Sequence, residues 1–355
     1  MRFIRFLVII FIVSLVGFYL LEKNELSPNE AVDQVSKILK EKKNMMETKE
    51  ISEKRTKIPL EGDIFQWIGK DSNELTKELG EPFRNDLSAY GYTWWVYTDQ
   101  KEQYVQFGVE ENEVKSVYAT GNNLSTEPVQ IGQTYESMNN EFSFSEEVTY
   151  SKGISSYTFR LNEEDRLTRP LVKITNDVFV QYYFDTFTSK LSSIRLVTGD
   201  ILLRHRPYEV EYRGSLPEKL DVSEEEWAEI ESGMEQQIFD ITNVMRKQYQ
   251  KSGLQWEENV SEVAFLHSKD MEENQYFSHY GLNGDGLKER LGAKEIYYLG
   301  AGENIAAQYP DAPAAMEGWL NSKGHREALL KDDYTHLGVG VYRFYYTQNF
   351  LEKPL

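Results

Sequence analysis

An apolar run near the amino terminus, Phe6–Leu21, constrains this chain more than any other feature; only Ser14, Gly17 and Tyr19 relieve it. A helix crosses a bilayer with about 20 mostly apolar residues, within a range of roughly 17–25. Phe3 and Ile4 bring the segment close to that length. Arg2 and Arg5 precede the run and Glu22 follows it, so the amino terminus is expected to stay in the cytoplasm. Residues 1–22 therefore read as a single-pass signal anchor in the cell membrane, with the remaining chain extracytoplasmic. No small-x-small cleavage signal closes the run, since Gly17-Phe18-Tyr19-Leu20-Leu21 is bulky. An uncleaved anchor is favoured over a cleaved signal peptide, which would release a secreted protein.

The exported part must build its own cores. The 355 residues suit two folded domains, and 40% hydrophobic with 13% aromatic residues is enough for both. Cysteine is absent, which removes disulfides, zinc–thiolate sites, Fe–S clusters and cysteine nucleophiles together. Fifty-eight acids against 39 Lys and Arg give a net charge of −19. Such a balance argues against nucleic acid as a partner, because phosphate binding needs a basic face.

Residues 23–59 read as a stalk. Ser27-Pro28-Asn29-Glu30 places a cap, a first-turn proline and a Glu three residues after the cap. The stretch 40–57 is charge-rich and mixed in sign, as a solvated linker would be. From about 60 to 215 the chain repeats itself. Tyr104-Val105-Gln106-Phe107 matches Phe179-Val180-Gln181-Tyr182, and Val114-Lys115-Ser116-Val117 matches Leu191-Ser192-Ser193-Ile194. The similarity predicts an α+β domain built from two like units, each a short helix followed by antiparallel strands, the second with an insertion. Its dense aromatics, among them Trp67, Trp94, Trp95 and Tyr104, are expected to pack as sheet core. Gly214-Ser215-Leu216-Pro217 punctuates a boundary, and a second domain is expected over 222–355.

The chemistry lies in that second domain. Ser223-Glu224-Glu225-Glu226 opens an amphipathic helix as a capping box. Four of the five histidines follow residue 260. His267 sits on an apolar stripe four residues before Met271 and reads as a packed core histidine, while His336 precedes a small-residue strand and reads as incidental. His279 and His325 occupy loop-like settings, Phe277-Ser278-His279-Tyr280 and Lys323-Gly324-His325-Arg326. Between them, Gly300-Ala301-Gly302-Glu303-Asn304 frames a Glu with glycines that permit close backbone approach.

Ordered motifs then carry a resemblance. They are Asn243-x-x-Arg246, Leu254-x-Trp256, Ala264-x-x-His267-Ser268-x-Asp270-Met271, Phe277-Ser278-His279, Gly302-Glu303-Asn304-Ile305, Trp319-x-x-Ser322-x-Gly324-His325-Arg326, Gly338-Val339-Gly340 and Tyr346-Thr347-Gln348-Asn349-Phe350. Together they resemble the CAP superfamily of cysteine-rich secretory, antigen 5 and pathogenesis-related proteins. Residues 60–210 resemble the domain that accompanies CAP domains in anchored proteins of Bacillus-like bacteria. The resemblance implies an α–β–α sandwich with a cleft in which His279, Glu303 and His325 meet. The family's second cleft Glu, three residues after the tryptophan in animal members, is replaced here by Ser322.

Two imidazoles and one carboxylate could bind Zn²⁺, with His279, Glu303 and His325 as ligands and a fourth position left for water. A His–Glu general base is a second possibility, and a cluster that only hydrogen-bonds across the cleft is a third. A Gly-x-Ser-x-Gly elbow is absent, so neither Ser278 nor Ser322 has support as a nucleophile. The expected role is non-catalytic binding or scaffolding at the cell surface, with the cleft taking a metal or a small ligand. Hydrolysis of envelope peptide or peptidoglycan, and carriage of lipid or sterol, are the alternatives. The cell membrane, through the anchor, and an envelope component or a lipid are the expected partners.

Overall fold

The computed structural model describes residues 58–60 and 62–354. The expected anchor lies outside the described residues, as does nearly all of the stalk. Among the described residues, no helix is long and apolar enough to cross a membrane.

Asp71 caps α1 (Ser72–Leu79) by accepting the Asn73 N–H. The strands β1 (Arg84–Leu87), β2 (Thr93–Thr98), β3 (Gln103–Glu110) and β4 (Glu113–Gly121) follow as an antiparallel meander. Thr134 caps α2 (Tyr135–Phe142). A hairpin, β5 (Glu147–Lys152) and β6 (Ser155–Arg160), and α3 (Glu163–Thr168) come next. Then β7 (Leu171–Lys173), β8 (Val178–Asp185) and β9 (Lys190–Thr198) complete a seven-stranded sheet of order β1-β2-β3-β4-β9-β8-β7. The two halves of this sheet meet where β4 pairs antiparallel with β9. After α4 (Gly199–His205), β10 (Glu209–Arg213) pairs with β6 to close a three-stranded sheet, β10-β6-β5.

The matched tetrapeptides fall on β3 and β8 and on β4 and β9. Local geometry repeats as well. The capping residue of each helix bridges the first residue of a strand, Asp71 to Glu113 and Thr134 to Lys190. Both long hairpins shift register at corresponding places, Gly108/Val109 and Tyr183/Phe184. The segment carrying β5, β6 and α3 is the insertion.

Both faces of the seven-stranded sheet are covered. Val105, Phe107 and Val109 pack into one core with Trp67, Leu75 and Met138. Tyr104 and Tyr118 point the other way, into a core shared with the C-terminal half. Strand β3 is therefore buried along nearly its whole length, Gln106 included.

Ser223 and Glu226 form the expected capping box at the start of α5 (Glu224–Gln248). The chain continues through β11 (Gln255–Trp256), α6 (Glu258–Glu273), α7 (Leu287–Ala293), β12 (Gly300–Ala307), α8 (Ala312–Leu320), α9 (Lys323–Leu329), β13 (His336–Tyr342) and β14 (Tyr345–Glu352). The sheet order is β11-β13-β14-β12. On one face, Gln348 donates to the Thr242 hydroxyl of α5 at 2.7 Å. On the other, Ser268 of α6 and Thr347 share a 2.8 Å hydrogen bond. Helices thus cover both faces. At Gly340 a Cβ would stand 1.8 Å from the Phe265 nitrogen, so α6 rests on bare strand backbone.

The linker over 214–222 has no helix or strand, yet the two halves form one compact unit with a continuous core. Buried polar pairs cross between them. Arg84 meets Asp240 at 3.0 Å and Arg195 meets Asp311 at 2.8 Å. Glu317 of α8 accepts from Ser192 at 2.6 Å, Ser193 at 2.5 Å and Tyr118 at 3.1 Å. Each carboxylate has its partner 100 or more residues away, so none could be seen as paired from local sequence.

Candidate functional site

Strand β12 forms one edge of the C-terminal sheet. Glu303 stands on it, beside Gly302, where a Cβ would come within 2.2 Å of the Tyr334 hydroxyl. Only glycine leaves room there for the buried Tyr334 ring.

The Glu303 side chain is 4% exposed, and both of its oxygens are engaged. Oε1 lies 2.9 Å from Nδ1 of His279, and Oε2 accepts from Arg290 at 2.5 Å. His267 approaches Oε1 to 3.9 Å. Burial alone would raise the Glu303 carboxyl, but His279, Arg290 and His267 together hold it below its ordinary value. The carboxylate is therefore charged. An ionised carboxylate only accepts, so Nδ1 of His279 carries a proton and the ring turns Nε2 away from the pair. The His279 side chain is 50% exposed, so the dyad is sealed at its carboxylate and open at its imidazole.

Arg290, on α7, organises the loop that carries His279. Its Nη1 donates to the His279 carbonyl at 3.0 Å and to the Asp285 carbonyl at 3.2 Å, while Nη2 holds Glu303. His267 is a buried core histidine, with Nε2 3.0 Å from the Ser278 carbonyl, and burial lowers its pKa. It also borders the cleft carboxylate, which its place on the apolar stripe did not reveal.

His325 is half-buried on α9. Asn304, the residue after Glu303, donates to its carbonyl at 3.1 Å. Burial lowers the His325 pKa, and the charge on nearby His279 lowers it further. Across the β12–β14 pairing, Asn349 lies opposite Glu303, fully buried, with neither end of its side-chain amide hydrogen-bonded among the described residues.

Ser322 makes no hydrogen bond to His279, Glu303 or His325; its carbonyl accepts the Arg326 N–H at 2.8 Å in the first turn of α9. It lines a separate depression of about 290 Å³ with Asp165 and Glu317. Among the described residues, no group of three or more His, Asp or Glu side chains is arranged to hold a metal ion. Arg290 supplies a positive charge directly at Oε2 of Glu303.

The "CAP-associated N-terminal" family matches residues 68–208, and the "Cysteine-rich secretory protein family" matches residues 239–351. The chain is 47% identical over 302 residues to the "Uncharacterized membrane protein YlbC" of Bacillus subtilis, covering 85% of this chain and 87% of that one. It is similar in structure to an extracellular protein containing a SCP domain from Bacillus anthracis, with TM-score 0.78 and 41% identity over 84% of this chain and 99% of that one. A cysteine-rich secretory protein from Staphylococcus aureus superposes with TM-score 0.73 at 28% identity, over 83% and 97% of the two chains.

Proposed function

Because this chain belongs to the cysteine-rich secretory protein family, with the CAP-associated N-terminal region ahead of that domain, we propose that it is a membrane-anchored extracytoplasmic binding and scaffolding protein. Its cleft, formed by His279, Glu303 and His325, takes a small ligand of the cell envelope. The apolar run Phe6–Leu21 supports the anchor, and the name of the Bacillus subtilis relative as a membrane protein supports it further.

One observation carries the binding reading. Glu303 spends both oxygens inside the protein, on His279 and Arg290, and leaves Nε2 of His279 free on a half-exposed ring. The cluster is thus neutralised within and offers a hydrogen-bonding face outward, beside a second imidazole. The test is co-sedimentation of the full-length protein with purified cell-wall sacculi. Retention should fall in His279→Ala and His325→Ala variants whose unfolding midpoints match the parent. Equal retention in all three proteins would end this reading.

A second reading rests on the same dyad. A carboxylate holding Nδ1 and leaving Nε2 free is an arrangement that can take a proton from water. Release of soluble fragments from sacculi, abolished by Glu303→Gln, would establish hydrolysis; no release above a buffer control would exclude it on that substrate.

A further inference from the structure

A cavity of about 360 Å³ opens where the two halves meet, and none of His279, Glu303 and His325 lines it. Its volume is in the range of small-molecule pockets, roughly 300–1,000 Å³, and junctions of this kind are where such pockets favour forming. Four half-buried rings line it: Tyr90 from the β1–β2 connection, Trp227 of α5, Tyr309, and Phe344 from the β13–β14 turn. The interdomain linker supplies another wall through Pro217 and Leu220.

The rings are fixed in place. Phe344 meets Trp227 edge-on at 5.3 Å, and the Arg343 guanidinium lies 4.5 Å from the Trp227 ring centre. Tyr90 packs on His205 at 4.5 Å. The Tyr90 hydroxyl has no hydrogen-bond partner among the described residues, so the cavity contains a polar group that the fold does not use.

The charge at this cavity departs from that of the chain as a whole, whose net charge is −19. Arg204 is neutralised by Glu110 at 2.7 Å. His205 is neutral, since burial drives it down to about 3. Arg206 and Lys219 remain against Glu218. Arg206 gives Nε to the Leu203 carbonyl at 3.2 Å and Nη2 to the Pro217 carbonyl at 2.5 Å, and its Nη1 has no hydrogen-bond partner among the described residues. Flat apolar walls, a free hydroxyl and an excess of positive charge together suit one ligand class.

We infer that this interdomain cavity binds a small aromatic carboxylate, its ring held among Tyr90, Trp227 and Phe344 and its anion facing Arg206 and Lys219. The site is separate from the cleft and does not depend on the reading given for it.

The test uses the full-length protein in lipid nanodiscs, titrated with indole-3-acetate, with its neutral analogue tryptophol in parallel and empty nanodiscs as the control. Indole-3-acetate should bind saturably, and tryptophol roughly tenfold more weakly, the size of one charge-assisted hydrogen bond. Trp227→Ala should abolish the binding. Tyr90→Phe and Lys219→Gln, which keep the ring and an exposed side chain respectively, should each weaken it, whether or not Trp227→Ala folds. His279→Ala should leave it unchanged. Absence of saturable binding, equal binding of tryptophol, indifference to Tyr90→Phe and Lys219→Gln, or loss in His279→Ala would each overturn the assignment.

Discussion

Arg326 and Asp185, 141 residues apart in sequence, form a two-pronged ion pair across the junction of the two halves, with Nη1 to Oδ1 at 2.9 Å and Nη2 to Oδ2 at 3.0 Å. Tyr249 donates to the same carboxylate at 2.5 Å. Asp185 ends β8 in the N-terminal half, and Arg326 follows His325 on α9. The N-terminal half therefore holds the short helix that carries His325. Asn321 strengthens the hold by donating to the Phe184 carbonyl at 2.9 Å and accepting the Thr186 N–H at 2.8 Å.

This pair should govern stability. The Asp185 side chain is 1% exposed and that of Arg326 14%, so removing one charge strands the other in a dry setting. Asp185→Asn is expected to cost about 3 kcal/mol in urea unfolding, as for buried pairs that lose one partner. A loss near 0.5 kcal/mol or less, of the size found for surface pairs, would show that solvent screens the contact.

Glu235 should make stability fall with rising pH. Burial pushes its carboxyl from 4.5 up to about 8, although the Val341 N–H donates to Oε1 at 3.0 Å. Between those values the unfolded chain releases this proton and the folded chain keeps it, so the unfolded state gains as pH rises. Glu235→Gln keeps an acceptor for Val341 and removes the titration. The variant should be more stable than the parent by about 1–3 kcal/mol at pH 8 and equal to it near pH 4. A constant difference across that range would contradict the assignment.

Two glycines should respond oppositely to alanine. At Gly340 a Cβ meets helix backbone, Phe265 N at 1.8 Å and Ala264 C at 2.3 Å, and neither atom can rotate away. Gly340→Ala should lose about 3 kcal/mol or more, or fail to fold. At Gly324, inside α9, nothing lies within 4 Å, and alanine should be neutral or stabilising by up to about 1 kcal/mol. Thermal unfolding of the pair decides the matter, and equal midpoints would refute the close approach of α6 to the sheet.

The internal repeat was legible because β4 and β9 carry matching tetrapeptides and meet at the centre of one sheet. His279 and Glu303 were legible because their glycine and serine surroundings keep motif order along the chain. Arg290 was not. It sits in an ordinary amphipathic stretch, Leu287-Lys288-Glu289-Arg290-Leu291, and only the fold turns it toward a carboxylate 13 residues on. The pairing of Asp240, Asp311 and Glu317 was hidden for the same reason, since their partners Arg84, Arg195 and the Ser192–Ser193 pair come from the other half. Alternation misleads in β3 and β8, where Gln106 and Gln181 look solvent-facing yet are buried, Gln106 accepting from Tyr104 and Gln181 donating to Tyr208.

The proposed convergence of His279 and His325 is tested most directly by a histidine NMR titration of His325 in the parent protein and in His279→Gln. His325 should titrate below the ordinary histidine value, chiefly through burial, and should move upward when the charge of His279 is removed. A His325 titration unmoved by His279→Gln would mean that the two rings do not face one another, and the binding cleft would be lost with that result.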